Sequence, residues 1–438
     1  MKRSRTLVGW RMAALGIASM ACGSPASDAE NPAAPPAQGG SAGNSNGTVT
    51  GSSGSSSSSN NGGSGSGDVP LDPTDTLPGV DPPLDIPPAG CVRGARNGAL
   101  LLELDPAVPS VELRAQAGIL FANRTSCSDA AGAELPLTDL LSLQIMGGSE
   151  DDAVVIDLGS GDWSPLLDSA ESLQVGLGTG ENGLVLRGSA GSDHYRHAMR
   201  GKDLVLDLVG NGTIHAVASG VTELGFSLGD GDDRLEDLGT VRAAAEPAWV
   251  PAPGQAPLTG LSLPLVVSGG AGDDWLVGGT KDDEFDGGVG DDVASGLAGN
   301  DRFLSDIEGD GRDIWNGGPG YDQISYELRS TDLDLEVCSS PALLGCEGEC
   351  VCDSPSGSVG EGDEIVNIEE LRGGSGNDLL RGSDVSESLR GGPGNDSLFG
   401  LGGSDLLAGE GGVDQLEGGT DGDICDGQPD ETVSGCEL

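Results

Sequence analysis

Residues 373–426 read GGSGNDLLR, GSDVSESLR, GGPGNDSLF, GLGGSDLLA, GEGGVDQLE and GGTDGDICD, six nine-residue units without a gap. A second run in the same pattern stands upstream. It reads GGAGDDWLV, GGTKDDEFD, GGVGDDVAS and GLAGNDRFL from Gly269 to Leu304, then EGDGRDIWN and GGPGYDQIS to Ser325 after a three-residue insert. Across these twelve units, position 1 is Gly except at Glu308 and position 6 is Asp except at Glu387. Position 8 is large and apolar except at Ala294 and Cys425. Self-similarity at a fixed period marks stacked coils, each contacting its neighbours. A lone GGxGxD is a tight turn, but six in tandem, twice, is an architecture.

Each position has a physical task. Position 8 points inward and supplies one apolar side chain per turn to a thin core. Glycines at positions 1, 2 and 4 reach backbone angles closed to other residues and let carbonyls converge. The carboxylate at position 6 then completes an oxygen cage shared between stacked turns. Calcium accepts six to eight oxygens in a tolerant geometry, whereas magnesium demands a tighter octahedron. Without a metal, stacked carboxylates would repel one another, so metal binding is expected to supply much of the folding free energy.

The units closely resemble the repeats-in-toxin (hemolysin-type) calcium-binding nonapeptides. That resemblance implies an all-β chain folded as a parallel β-roll or β-helix solenoid, with calcium in the grooves between turns. It carries over Asp274, Asp283, Asp292, Asp301, Asp313 and Asp322 as ligands in the first block. In the second it carries over Asp378, Glu387, Asp396, Asp405, Asp414 and Asp423. Glycines expected at the cages are Gly269, Gly272, Gly278, Gly287, Gly290, Gly299, Gly373, Gly376, Gly391 and Gly394. Lys281 replaces a third glycine, Glu308 a first one, and GSDVSESLR has lost two, so weaker sites are expected there. Terminal turns lack a neighbour to finish the cage, which leaves roughly eight ions. Weaker echoes put Asp152, Asp193 and Asp233 at the equivalent acid position, and the segment between the blocks is expected to add longer strands.

Composition agrees. Glycine supplies 77 of 438 residues, aromatics only 3%, and 71 acids against 21 bases leave a net charge of −50. Such a field repels nucleic acid and anionic headgroups, and the partner that suits it is a hard cation.

The N-terminus reads as an address. Lys2, Arg3, Arg5 and Arg11 precede the short apolar run MAALGIASMA, which suits an export signal over residues 1–21. Cys22 follows at once and resembles the lipidated cysteine of a bacterial lipoprotein; a plain cut after Ala21 is the competing reading. A lipid there would be the only membrane contact, on an outer-membrane, cell-surface or secreted extracellular protein. Residues 22–90 form a Gly/Ser/Pro-rich linker with a reach of about 45 Å. Residues 91–260 alternate short apolar strands with Gly/Asp turns and read as a degenerate roll or β-helix, with 241–260 as a loop. The first calcium-binding block is placed at 261–325, a disulfide-containing connector at 326–372, and the second block with its cap at 373–438.

Eight further cysteines in an exported chain point to disulfides, with Cys91–Cys127 and Cys425–Cys436 as local pairs. The cluster CSSPALLGCEGECVC, with Cys338, Cys346, Cys350 and Cys352, also admits a zinc site, which oxidation and the lack of a nearby histidine disfavour. His194 and His197 in SDHYRH read as a solvated turn rather than a metal or catalytic pair. There is no HExxH, and the one GxSxG lies in the linker. The reading is therefore a non-catalytic structural or adhesive protein whose partners are calcium and surface glycans or envelope components. The alternative is a parallel β-helix polysaccharide lyase or epimerase stabilised by the repeats.

Overall fold

The computed structural model describes residues 98–107, 109–128, 132–239, 257–305, 309–338 and 362–437. Cys22, the export signal, the linker, Cys91, most of the 241–260 loop, Glu308, Cys346, Cys350 and Cys352 lie outside these residues. The described chain is almost wholly β. Its strands form two long sheets, of 17 and 14 strands, in which nearly all pairings between coils are parallel. Helix is limited to Ser164–Leu167 and two single 3-10 turns.

In the repeats, consecutive nonapeptides feed opposite sheets, so a full coil takes 18 residues. Leu265–Ala271 pairs with Glu284–Val289, and that strand with Arg302–Leu304, in one sheet. Trp275–Gly279 pairs with Val293–Leu297 in the other. The insert lengthens one coil to 21 residues without breaking the register. Position 8 points inward as its pattern requires. Phe285, Phe303, Ile324, Leu371, Leu389 and Leu407 stack along one sheet, and Leu398 and Leu416 continue the row begun by Leu276 and Trp315 on the other; all are at most 1% exposed. Phe285 stacks on Phe303 at 5.2 Å, and Phe303 meets Trp315 across the roll at 5.6 Å. Burial of each such side chain contributes about 1.5–3 kcal/mol.

Upstream the coils are larger, with ladder partners 30 to 41 residues apart. Ser110–Gln116, Ala153–Asp157, Gly183–Arg187 and Glu223–Asp230 stack in parallel and run directly into Leu265–Ala271. The strand His194–Arg200 turns back on Asp203–Asp207, which pairs antiparallel with Ala216–Ser219. The larger coils enclose a thicker core, including Leu102, Leu113, Ile145, Ile156, Leu186 and Phe226, all fully buried.

The connector departs from expectation. Its strands, Asp334–Cys338, Glu364–Val366 and Glu370–Arg372, are no longer than those of the roll. They continue the stack because they keep its inward apolar residues, Leu335, Ile365 and Leu371. Arg329 is fully buried at this joint, with Nε donating to the Ser305 carbonyl at 2.8 Å, its guanidinium paired with Asp310 and its charge over the Tyr326 ring.

Candidate metal centre

The position-6 acids sit in the turn just before each strand, and all twelve are buried. Their geometry repeats. One carboxylate oxygen accepts a hydrogen bond from the main-chain N–H of the acid one coil earlier. Asp274 N–H donates to Asp292 Oδ1 at 2.8 Å, Asp283 to Asp301 at 2.8 Å, Asp378 to Asp396 at 2.8 Å, and Asp405 to Asp423 at 2.9 Å. Each acid is thereby locked in place by its neighbour, and its second oxygen is turned into the turn.

That second oxygen is the chemically telling atom. Oδ2 of Asp233, Asp274, Asp292, Asp301, Asp322, Asp396, Asp405, Asp414 and Asp423, and Oε2 of Glu387, are buried without a hydrogen-bond partner. A buried polar atom left unpaired costs roughly 1–3 kcal/mol, more if charged, so ten in one periodic array call for a shared partner. In two turns the oxygen takes a main-chain N–H instead: Gly279 donates to Asp283 Oδ2 at 2.7 Å and Gly374 to Asp378 Oδ2 at 2.8 Å.

Carbonyl oxygens complete the surroundings. A methyl added to Gly278 would lie 2.6 Å from both Asp283 Oδ2 and Gly296 O; one on Gly373 would lie 2.6 Å from both Asp378 Oδ2 and Gly391 O. Position 1 is glycine because its missing side chain leaves room between a carboxylate and the next coil's carbonyl. Gly269, Gly287, Gly391 and Gly400 face the same pair of groups or the carboxylate of their own unit. At Gly272, Gly290, Gly299, Gly376 and Gly394 the task differs: the carbonyls of successive turns pack against these glycines. Lys281 keeps its carbonyl against Gly299 despite the lost glycine. At Glu387 a methyl on Gly382 would lie 2.9 Å from Oε2 and 2.7 Å from Gly400 O, so the longer acid reaches the same place.

Electrostatics make the same point. Burial, reinforced by neighbouring carboxylates, pushes Asp274, Asp292, Asp322 and Asp396 up to about 7. Asp283 rises to about 8, and Asp313, facing Asp363, to about 9. These groups resist ionisation unless a positive charge arrives. The donor set of one carboxylate oxygen per turn with main-chain carbonyls is hard and oxygen-only, which fits calcium. Among the described residues no group of three or more His, Cys, Asp or Glu side chains converges to hold a metal by side chains alone.

The stack also brings in residues whose role the repeat register hides. Asp363 is fully buried; its Oδ1 accepts from Asp313 N–H at 3.0 Å and its Oδ2 from the Tyr326 hydroxyl at 2.8 Å. Glu369 Oε2 accepts from Asp322 N–H at 2.7 Å. Glu369 was legible: EIVNIEELR, residues 364–372, is one more unit in the second block's register, with an acid at position 6 and Leu371 at position 8 but no glycine. Position 5 forms a second, exposed ladder. Asp273 accepts from Asp291 N–H at 3.0 Å, Asp282 from Asn300 at 2.9 Å, and Asn377 from Asn395 at 3.0 Å.

Upstream, Asp193 and Asp233 stand on the same inner ladder. Asp193 N–H donates to Asp233 Oδ1 at 2.6 Å and Asp233 N–H to Asp274 Oδ1 at 2.7 Å. Asp152 lies before a strand of the opposite sheet, its Oδ2 accepting from Gly148 N–H at 2.9 Å.

The histidine pair needs correction. His194 and His197 lie on a strand, not in a solvated turn. Residues three apart on a strand face opposite ways, so the two rings do not converge. His194 meets Glu236 at 3.0 Å, while His197 is fully buried with Nε2 3.0 Å from the Val277 carbonyl. Burial holds the His197 imidazole below its ordinary pKa. The strand is covered on both faces by the hairpin that follows it and by the core, which the alternation alone did not reveal. Among the cysteines, Cys425 is bonded to Cys436, with Cα atoms 5.8 Å apart, and Cys127 and Cys338 are also disulfide-bonded.

A family model described as the RTX calcium-binding nonapeptide repeat (4 copies) matches residues 268–303, 368–384 and 387–425. Comparison with curated proteins finds no relative of the chain.

Proposed function

The two blocks are RTX calcium-binding nonapeptide repeats, and from that premise we propose that the chain is an exported, surface-tethered β-roll whose fold calcium completes, serving a structural or adhesive rather than catalytic role. The observation that carries this reading is the periodic set of buried acid oxygens without partners. Each faces a space bordered by a carboxylate and carbonyls, and a divalent cation there would satisfy all of them at once. The residues that would hold it are the position-6 acids with the carbonyls of positions 1, 2 and 4, over roughly eight sites once terminal turns are discounted.

Export and tethering are supported by the basic and apolar start of the chain, by Cys22 and by the long polar linker, which would hold the roll clear of a surface. An oxidising compartment agrees with the Cys425–Cys436 bond. Millimolar calcium outside the cell would then order a chain that is loose where calcium is scarce. Partners would be surface glycans or envelope components.

The test is a calcium titration of the purified chain, read by circular dichroism and by calorimetry. A saturable rise in β signal with several ions bound per chain is expected; the same spectrum and melting point in EDTA and in millimolar calcium would refute it. Mass spectrometry of the mature N-terminus decides the lipid on Cys22. A glycan array decides adhesion, and cleavage products from any polysaccharide would overturn the non-catalytic role.

A further inference from the structure

We propose that Asn182 closes its turn with its own side-chain amide at the place where the repeats require a cation, so that residues 98–239 are a calcium-independent platform on which the roll assembles. The segment LGTGENGLV, residues 177–185, has the outline of a repeat unit: Gly178 and Gly180 at positions 2 and 4, Leu184 buried at position 8, and Asn182 at position 6. Asn182 is 1% exposed. Its Oδ1 accepts from Asp152 N–H at 2.8 Å, the same ladder bond that Asp274 makes with Asp233.

The other terminal atom differs. Asn182 Nδ2 donates to the Gly220 carbonyl of the next coil at 2.8 Å and to the Leu177 carbonyl at 3.3 Å. A main-chain N–H on one side and two carbonyls on the other fix which way the amide points. In the repeats the corresponding Oδ2 faces carbonyls, acceptor against acceptor, and only a cation can join them. Here an N–H₂ group stands in for both the oxygen and the ion. The following rung is also neutral: Thr222 Oγ1 accepts from Asn182 N–H at 2.7 Å and donates to the Asn182 carbonyl at 3.0 Å. In chain order, the first orphaned carboxylate oxygen among the described residues is that of Asp233.

The platform also has the core to stand without metal, since its larger coils bury several apolar side chains each. Its last strands are the template for the roll: Leu224–Asp230 pairs with Leu265–Ala271, and Arg234 and Leu235 with Trp275 and Leu276. A preformed edge of this kind removes the nucleation step from calcium-driven stacking.

This inference rests on the calcium reading of the repeats, and one experiment separates the two. Hydrogen exchange is measured on the full chain in EDTA and in millimolar calcium. Strands 142–146, 153–157 and 183–187 are expected to stay protected in both, and strands from 284 onward only in calcium. Platform strands that exchange in EDTA as fast as the roll would overturn the inference; roll strands equally protected in both would instead overturn the calcium reading. In Asn182→Asp, protection at 153–157 and 183–187 should be lost in EDTA and restored by calcium, with one more ion bound per chain by native mass spectrometry. Unchanged protection and ion count in Asn182→Asp would also sink it. The reciprocal Asp396→Asn should bind one ion fewer and keep its roll folded in calcium.

Discussion

Asn182 and Asp274 occupy the same point of the same kind of turn, and the coils around them close it differently. In the upstream coils the closing contact is a hydrogen bond from an amide to carbonyls, and the core behind it is several residues thick. In the repeats the closing contact is left to an ion, and the core behind it is one side chain per nine residues. The difference teaches what glycine-rich repetition does. A nonapeptide is too short to bury enough apolar surface to offset its own conformational entropy, so its stability is made conditional on a ligand. The upstream coils, 30 to 41 residues around, need no such condition.

The largest effect that could break this comparison is metal removal. In EDTA at neutral pH the repeat blocks are expected to lose their cooperative melting transition, because structural ions contribute on the order of 10 kcal/mol, while the transition of the upstream coils remains. Two separate calorimetric transitions in chelator-free buffer that merge or vanish together would contradict it.

Acid should partly replace the metal. The buried carboxylates titrate in the folded roll from about 6, at Asp301 and Asp405, to about 9 at Asp313, above the ordinary value of about 4 in the unfolded chain. A raised acid stabilises the fold when protonated, so the metal-free roll gains this stability fully below pH about 4 and loses it as pH rises through 6 to 9. Calcium affinity should run the other way and fall as the pH drops below 7. Circular dichroism in EDTA at pH 5 and pH 8, beside titrations with calcium at both, checks the two signs.

Core truncation sharpens the contrast. Phe226→Ala in the platform and Phe303→Ala in the roll each remove a fully buried ring and should lower stability by about 3–5 kcal/mol. For Phe226 the loss should show with or without calcium; for Phe303, only with it, as thermal melts will reveal. Gly373→Ala comes next. Its methyl would lie 2.6 Å from Asp378 Oδ2 and from Gly391 O, so one calcium site should disappear from a calorimetric count while the neighbouring turns keep theirs. The smallest effect belongs to the exposed ladder. Asn395→Ala removes the acceptor for Val413 N–H, 2.9 Å away, and should cost about 1 kcal/mol or less with no change in ion count.

The fold was legible where a residue's task follows from its own spacing. A nine-residue period with an apolar residue at position 8 leaves one arrangement that buries all of them, and Leu380, Leu389, Leu398, Leu407 and Leu416 are buried accordingly. Glycine at position 1 was equally readable, since no other residue leaves room between two oxygens. The site was legible as a list of acids but not as a geometry: that each acid spends one oxygen on its neighbour's N–H depends on how coils align in space. The histidines misled because the hairpin that buries them is 203–219, a cover that local alternation does not announce.

By itself, then, the order of residues determined the repeat, the parallel stacking and the identity of the acids, because each of these follows from periodicity along a single chain. Only the tertiary structure decided which turns are left with unpaired oxygens and which are closed by the protein, as at Asn182, Asp363 and Glu369. That choice is made between coils, by what the next turn presents across a gap of about 3 Å, and a partner 18, 40 or 50 residues away is set by coil length rather than by local sequence.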